Sequence, residues 1–436
     1  IMESSKNAGC KCEKLQPGRE KQPIIRRDGN NIIVGEGPNQ ITFVIKFDAV
    51  FNDPQLKTKL LEIYSRIVEI DKLLTNNRLK KVEIYKYGKA PLGNEYNTSY
   101  DIVRLEWDSP NLPTIVAHET AHRLYRFLLP YFNMSTLSSL MNDEYWMGLY
   151  IQSIGSGSHV IVKESRCIVT KEDLGHPNSD PTELFASSVS AYVSHPDKFI
   201  DRVMSEKTPQ PQRIMGKLLY CYLRDRVFNG RTYCKNDPFK EIRWDDMRGV
   251  AIDRHTIIPS LVSSFRSSEY GAKIAAIHLA MLLRLNDPEI MACMVNALGE
   301  NEINQEAREA IISMKDPAYI EPLIKGLASR NPLTRSWAAM VIGALGIRDE
   351  RLIKPFLVAL HDPDKHVHFN TMNAIQELCL DDEALVRELL NIARSNEEFW
   401  LKALEVLGEL GIDWNILGEI YKDQTDKEKA DKNRAG

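Results

Sequence analysis

The pentapeptide His118-Glu119-Thr120-Ala121-His122 has the H-E-x-x-H spacing with which one helix can hold a zinc ion. Residues four apart lie on the same face of a helix, so the imidazoles of His118 and His122 can reach one metal. Glu119 then lies beside that metal, where a carboxylate can accept a proton from water. The pattern is short, so its meaning depends on the segments around it.

The residues before the pentapeptide predict a strand, a helix and two further strands. Apolar residues alternate in segments 41–47, 82–87 and 100–107, which is typical of strands, whereas those of segment 56–74 recur at steps of three and four. A capped helix should follow, because Asp108, Ser109 and Asn111 are suitable caps, Pro113 fits a first turn, and the apolar run ends near Pro130. This helix carries the H-E-x-x-H pattern.

A catalytic zinc ion takes three protein ligands and keeps one position for water, so a third ligand must lie downstream. Two glutamates are candidates. Glu183 lies 61 residues after His122 in a second capped helix, predicted from about Pro181, whereas Glu144 lies 22 residues after His122. The residues alone leave both open.

The segment Glu183-Leu184-Phe185-Ala186 resembles the E-x-F-A glutamate helix of the anthrax lethal factor-like group. Together with the pentapeptide and the order of elements before it, about 170 residues resemble the gluzincin branch of zinc metallopeptidases. The resemblance favours Glu183 over Glu144 as the third ligand. It implies an α+β zincin-like metallopeptidase domain with one catalytic Zn²⁺.

In the lethal factor-like group a tyrosine usually precedes the glutamate ligand by seven residues and stabilises the tetrahedral intermediate. The matching residue in this chain is His176, so the chain departs from the group's pattern. An imidazole can donate the same hydrogen bond, and Tyr192 and His195 are alternatives for this role.

The resemblance also implies a mechanism. Zinc would polarise a peptide carbonyl and activate water, with Glu119 as general base and acid. Zincins place an edge strand before the metal helix, which predicts that segment 100–107 pairs with an extended peptide or protein substrate.

A second pattern begins near residue 250, where helical spacing of Ala, Leu and Ile is interrupted by aspartates at a regular interval. The steps between these aspartates are 29, 33, 33 and 31 residues, and the positions are Asp287, Asp316, Asp349, Asp382 and Asp413. Each unit should hold two short helices. The units resemble short HEAT repeats, which implies an all-α, armadillo-type solenoid whose surface could bind a protein partner.

Composition limits the classes of function. A formal charge of −4 and a pI near 6.3 argue against a general nucleic-acid binder, and no apolar run is long enough to span a membrane. Seven scattered cysteines favour a reducing compartment such as the cytoplasm, although a removed leader and secretion remain open. Cys10 and Cys12 lie in a polar leader, where either ordinary cysteines or a metal-masking thiol would fit.

These observations predict four segments. They are a flexible leader at 1–28, a metallopeptidase domain at 29–250, a helical-repeat solenoid at 251–420 and a charged tail at 421–436. The expected function is that of a zinc endopeptidase whose repeats recognise protein. A non-catalytic scaffold with a degenerate zincin domain and a zinc hydrolase of another amide or ester are the alternatives.

Overall fold

The computed structural model describes residues 23–71, 73–74, 78–91, 93–128, 144–156, 180–395 and 398–435. Cys10, Cys12 and His176 lie outside these residues. The chain divides into two compact units, Ile1–Leu279 and Ala280–Gly436. No helix among the described residues is both long and apolar enough to cross a membrane.

The first unit opens with a mixed sheet. Its strands are β1 (Ile25–Asp28), β2 (Asn31–Val34), β3 (Ile41–Ile45), β4 (Lys81–Tyr85), β5 (Glu95–Asn97) and β6 (Ile102–Glu106). Their order across the sheet is β1-β2-β3-β4-β6-β5. Strands β3, β4 and β6 run parallel to one another, and the remaining neighbours are antiparallel.

Alternation of side chains gives this sheet one apolar face. Phe43 lies beside Val82 in the register, and Val82 lies beside Val103. All three side chains are fully buried. They form a core with the apolar faces of helix α1 (Leu56–Asp71) and the start of helix α2 (Leu112–Leu128). The predicted strands, the predicted helix and their order are therefore present, and the metal-pattern helix packs on the sheet.

Two expectations about this sheet need correction. The strand that directly precedes α2 is β6, but β6 lies between β4 and β5, so the edge strand on this side of the sheet is β5. Sequence reading missed β5 because it spans only three residues and includes Glu95 and Asn97, which have low strand propensity. The fold also begins inside the predicted leader, since β1 pairs with β2.

After the sheet and α2, the described part of the first unit contains further α-helices. They are α3 (Glu144–Ser156), α4 (Pro181–Ser194), α5 (Pro196–Met204), α6 (Gln210–Tyr222), α7 (Trp244–Met247), α8 (Arg254–Phe265) and most of α9 (Tyr270–Leu282), whose last three residues belong to the second unit. Helix α8 packs on α3, although the sequence places residue 254 in the repeats. The close approach is possible because a Cβ at Gly155 of α3 would lie only 2.6 Å from Ser260 Oγ of α8.

The second unit is a succession of helical pairs. Its helices are α10 (Pro288–Ala297), α11 (Asn304–Met314), α12 (Ile320–Leu327), α13 (Pro332–Leu345), α14 (Ile353–Ala359), α15 (Lys365–Glu377), α16 (Glu383–Ser395), α17 (Trp400–Glu409) and α18 (Trp414–Ala435). The last of these includes residues 421–435, where the sequence predicts a charged tail that extends to residue 436. This segment is helical rather than a tail because its Lys, Glu and Ala residues favour helix.

The periodic aspartates have a common structural role. Each accepts a backbone N–H two residues ahead and so caps the first helical turn of its unit. Asp287, for example, accepts from Glu289 N at 2.9 Å and from Ile290 N at 3.3 Å. The repeat visible in the sequence is therefore a repeat of helix starts.

We expect Asp287→Ala to lower the free energy of unfolding of the solenoid by about 1 kcal/mol, because two N–H groups of α10 lose their acceptor. Asp287→Asn is the matched control, since its amide oxygen can still accept. Urea titration followed by circular dichroism measures both. Equal stability of the two variants would argue against the capping role.

Candidate metal centre

The two helices that carry the predicted ligands lie side by side. His118 and His122 are on α2, and Glu183 is on α4, which packs along α2. The two Nε2 atoms are 3.1 Å apart. Oxygens of Glu183 lie 3.2 Å from Nε2 of His118 and 3.3 Å from Nε2 of His122. The structure therefore brings these three predicted residues together at one point.

The start of α4 fixes the position of Glu183. Asp180 caps this helix, accepting from the N–H of Thr182 at 2.7 Å and from that of Glu183 at 3.0 Å. Pro181 occupies the first turn, and its carbonyl accepts from the indole N–H of Trp146 at 3.1 Å. A helix start held from both sides leaves the Glu183 backbone little freedom, so its carboxylate is directed at α2.

Phe185 joins α4 to its neighbours. Its ring meets Tyr125 of α2 edge-on at 5.5 Å and Trp146 of α3 at the same centroid distance. One turn further, the Ser190 hydroxyl donates to the Thr114 carbonyl of α2 at 2.9 Å. Phe185 thus sets the spacing of α4 from α2 and α3, and its role is packing rather than chemistry.

The donor set fits a divalent metal ion such as zinc. All three ligand atoms lie within 4.8 Å of one another. Two imidazole nitrogens and one carboxylate oxygen are the donors that catalytic zinc takes in a His₂Glu site. A metal bound to all three would take the place of the protons that now lie between them, since the two Nε2 atoms are only 3.1 Å apart.

The charges of the cluster are mutually dependent in the metal-free protein. Burial opposes ionisation of Glu183, but hydrogen bonds from His118 and His122 outweigh it and hold the pKa of Glu183 far below its ordinary value. Burial likewise disfavours the cationic form of His122, but Glu183 outweighs it and raises the pKa of His122 to about 9. A charged hydrogen bond from His122 to the Glu183 carboxylate therefore accounts for both shifts.

Glu119 has a different environment. It is only 7% exposed, and burial raises its pKa to about 8, an effect that His122 opposes and Glu183 reinforces. The backbone N–H of Tyr96 donates to its carboxylate. Because that N–H belongs to β5, the predicted general base is linked directly to the edge strand.

Two arginines of α2 fix the loop that follows β5. Arg123 is fully buried and binds Asp101 with both Nε at 2.7 Å and Nη2 at 2.9 Å. A further Nη1 hydrogen bond joins Arg123 to Asp71 at the end of α1. Arg126 donates to the Tyr96 hydroxyl at 3.1 Å. These contacts determine how β5 lies against α2.

Sequence reasoning missed this arrangement. The available signal is the position of Arg123, a charged residue in the middle of α2 and directly after His122. An arginine in such a position requires partners. Asp71 and Asp101 are 52 and 22 residues away in the sequence, so spacing could not identify them.

The remaining predicted site residues lie elsewhere. Glu144 begins α3 and does not belong to the group of possible ligands found among the described residues. Tyr192 is fully buried, stacks on Phe228 at 5.2 Å and donates its hydroxyl to the Arg231 carbonyl, so it is a core residue. His195 ends α4, and its Nε2 lies 3.0 Å from the Thr114 hydroxyl.

Comparison with known proteins bears on the second unit. A search of curated proteins finds no match to the chain. Residues 320–408, which extend from α12 into α17, match the family model of HEAT repeats. The helical-repeat part of the expected architecture is thereby confirmed, and the chain combines it with an N-terminal mixed sheet and a His₂Glu cluster.

Proposed function

We propose that the chain is a zinc-dependent hydrolase that cleaves peptide bonds, with His118, His122 and Glu183 as metal ligands. The observation that carries this proposal is the convergence of the three ligand atoms beside a buried glutamate that contacts an edge strand. A structural metal site has no need of Glu119. A hydrolytic site needs a base there.

When bound, zinc would supply Lewis-acid polarisation of a carbonyl and would lower the pKa of a water molecule. The residues of the chain do the rest. His118, His122 and Glu183 hold the ion in a position set by the packing of α2 against α4. Glu119 accepts the proton of the attacking water at its carboxylate and delivers it to the leaving amine.

Strand β5 is the proposed site of substrate pairing. It is one of the two edges of the sheet, and an extended peptide can add to a sheet edge through main-chain hydrogen bonds. The Tyr96 N–H is directed away from β6, since it donates to Glu119. A peptide on this edge would therefore pass beside Glu119. This favours a peptide over an amide or ester that lacks an extended backbone.

The repeats are proposed to recognise protein, either the substrate or a partner. HEAT repeats often serve this purpose, and stacked helical pairs give an extended surface. This property alone would also suit a scaffold without catalysis. Retention of Glu119 next to a complete ligand set favours the enzyme.

Metal content tests the proposal. We expect about one zinc per chain after dialysis against zinc and removal of the excess, by analogy with His₂Glu sites. Glu183→Gln should weaken zinc binding by at least about tenfold, because an amide oxygen carries no charge to balance the cation. Competition with a chromophoric chelator measures the affinity.

The matched control is Glu144→Gln, which removes the other candidate carboxylate by the same change. It should bind zinc as the unchanged chain does. Loss of zinc in Glu144→Gln with retention in Glu183→Gln would reverse the ligand assignment. A folded chain that takes up no zinc would reject the proposed function.

A further inference from the structure

Charged side chains form a row across the polar face of the sheet, opposite the face that carries the apolar core. Glu83 of β4 lies beside Arg104 of β6 in the register, and Arg104 lies beside Glu95 of β5. Arg104 binds both carboxylates, because its Nε donates to Glu83 at 3.1 Å and its Nη1 donates to Glu95. The charges on these three adjacent strands therefore alternate in sign, and the row ends with a carboxylate on β5.

The two carboxylates of the row differ in how many cations contact them. Glu83 is 6% exposed, and besides Arg104 it contacts Lys46 at 3.5 Å and Lys81 at 3.1 Å. Burial opposes ionisation of Glu83, but hydrogen bonds from Lys81 and Arg104 outweigh it and lower its pKa to about 2. Among the described residues Arg104 is the only cation that binds Glu95, and Glu95 shares this cation with Glu83.

The main chain of β5 leaves its outer side available for pairing. Among the described residues no strand lies beyond β5. The Tyr96 N–H is directed away from β6, since it donates to Glu119. Successive residues of a strand direct their main-chain groups to opposite sides, so those of Glu95 are directed at β6. An added strand would therefore bond to Tyr96 and place one of its residues opposite Glu95 without main-chain hydrogen bonds between them.

A residue opposite Glu95 would have its side chain on the same face of the sheet as the Glu95 carboxylate. In antiparallel pairing, opposite residues without main-chain hydrogen bonds bring their side chains closest together. Opposite charges on such a pair stabilise the pairing, and like charges destabilise it. The chain itself follows this rule from β4 to β5, so the next strand would extend it with a positive charge.

We propose that Glu95 selects lysine or arginine at one position of the peptide that pairs with β5. An acidic residue at that position would be repelled by the Glu95 carboxylate. Glu95 directly precedes Tyr96, which contacts Glu119, so the selected residue lies near the cleaved bond. This inference rests on the proposed peptidase function and names the class of substrate for it.

The test offers a positional-scanning library of fluorogenic peptides to the zinc-loaded full chain. At one position relative to the cleaved bond, lysine and arginine should give a kcat/KM about fivefold above that of glutamine, the usual size of a cross-strand ion pair. Glutamate at that position should give a lower kcat/KM than glutamine. The preference should shrink at high salt, because ions screen a pair at the edge of a sheet.

Glu95→Gln should reduce the ratio of kcat/KM for the lysine peptide over the glutamine peptide to about one. The amide oxygen of this variant can still accept from Arg104, so the contact between β5 and β6 is kept. Glu95→Lys should reverse the preference in favour of glutamate. Asp28→Asn is the matched control, because it removes an exposed carboxylate from β1, the other edge strand of the same sheet. It should keep the preference for lysine.

Three outcomes decide against the inference. Cleavage without preference for a basic residue at any position, or a preference that Glu95→Gln leaves intact, would overturn it while the peptidase function stands. A uniform fall in kcat/KM across the library in Glu95→Gln would make Glu95 a structural residue and would overturn it as well. If the zinc-loaded chain cleaves no peptide of the library, the proposed function fails, and the inference fails with it.

Discussion

Glu119→Gln should abolish most hydrolysis while zinc stays bound. Removal of a general base costs about 10²–10⁴-fold in rate. Glutamine is isosteric with glutamate, and its amide oxygen can still accept the Tyr96 N–H that the carboxylate now accepts. The proposed ligands His118, His122 and Glu183 are unchanged. We therefore expect a protein with the same fold and metal content that turns over a mixture of fluorogenic peptides at a small fraction of the original rate.

Two measurements keep this result interpretable. Zinc per chain, determined by atomic emission, should match the unchanged protein, and Glu144→Gln should retain activity as a carboxylate-to-amide control outside the ligand cluster. Full activity in Glu119→Gln would remove Glu119 from the mechanism. Loss of zinc in Glu119→Gln would instead make it a ligand or a structural residue.

Arg123→Met should lower the free energy of unfolding of the first unit by about 3–5 kcal/mol, the usual cost of leaving a buried charge without its partner. Arg123 is fully buried, and Asp71 is 3% exposed, so neither can turn to water. Chemical denaturation of the metal-free protein measures the fold alone. Arg126→Met is the matched control, because Arg126 is exposed and should contribute less than about 1 kcal/mol.

The loss of unfolding free energy in Arg123→Met should depend on pH. Burial raises the pKa of Asp71, and the Arg123 charge opposes that rise, so removal of Arg123 raises the pKa further. A carboxyl whose pKa is higher in the folded than in the unfolded chain destabilises the fold when ionised and stops doing so once protonated. The difference between Arg123→Met and the unchanged protein should therefore shrink as the pH falls through the folded pKa of Asp71. A difference that grows at acid pH would contradict this account.

The sequence predicts the parts of the site that depend on local spacing. His118 and His122 are four apart on one helix, and Asp180 and Pro181 mark the start of the helix with Glu183. The helix starts also explain why the repeat can be recognised from the sequence, because a capping aspartate is a local signal that recurs in each unit.

Other features escape because they depend on tertiary contacts. Strand β5 is too short for an alternating pattern, and its position at the edge follows from pairing with β6 rather than from its own residues. The partners of Arg123 lie in distant segments. The sequence offers Tyr192 as a candidate for stabilising the oxyanion, but Tyr192 is a core residue. The rings of Tyr220 on α6 and of Phe228 pack against it. His176 stays a prediction.

The sequence separation between contacting residues differs between the two units, and this affects how fast each unit folds. Glu69 binds Arg231 across 162 residues, and His122 meets Glu183 across 61, whereas Arg335 reaches its partner Asp362 across only 27. Contacts that close long loops cost more chain entropy and form more slowly than contacts between sequence neighbours. The solenoid should therefore form its native contacts early in refolding. The His₂Glu cluster should form late, so metal affinity should also appear late.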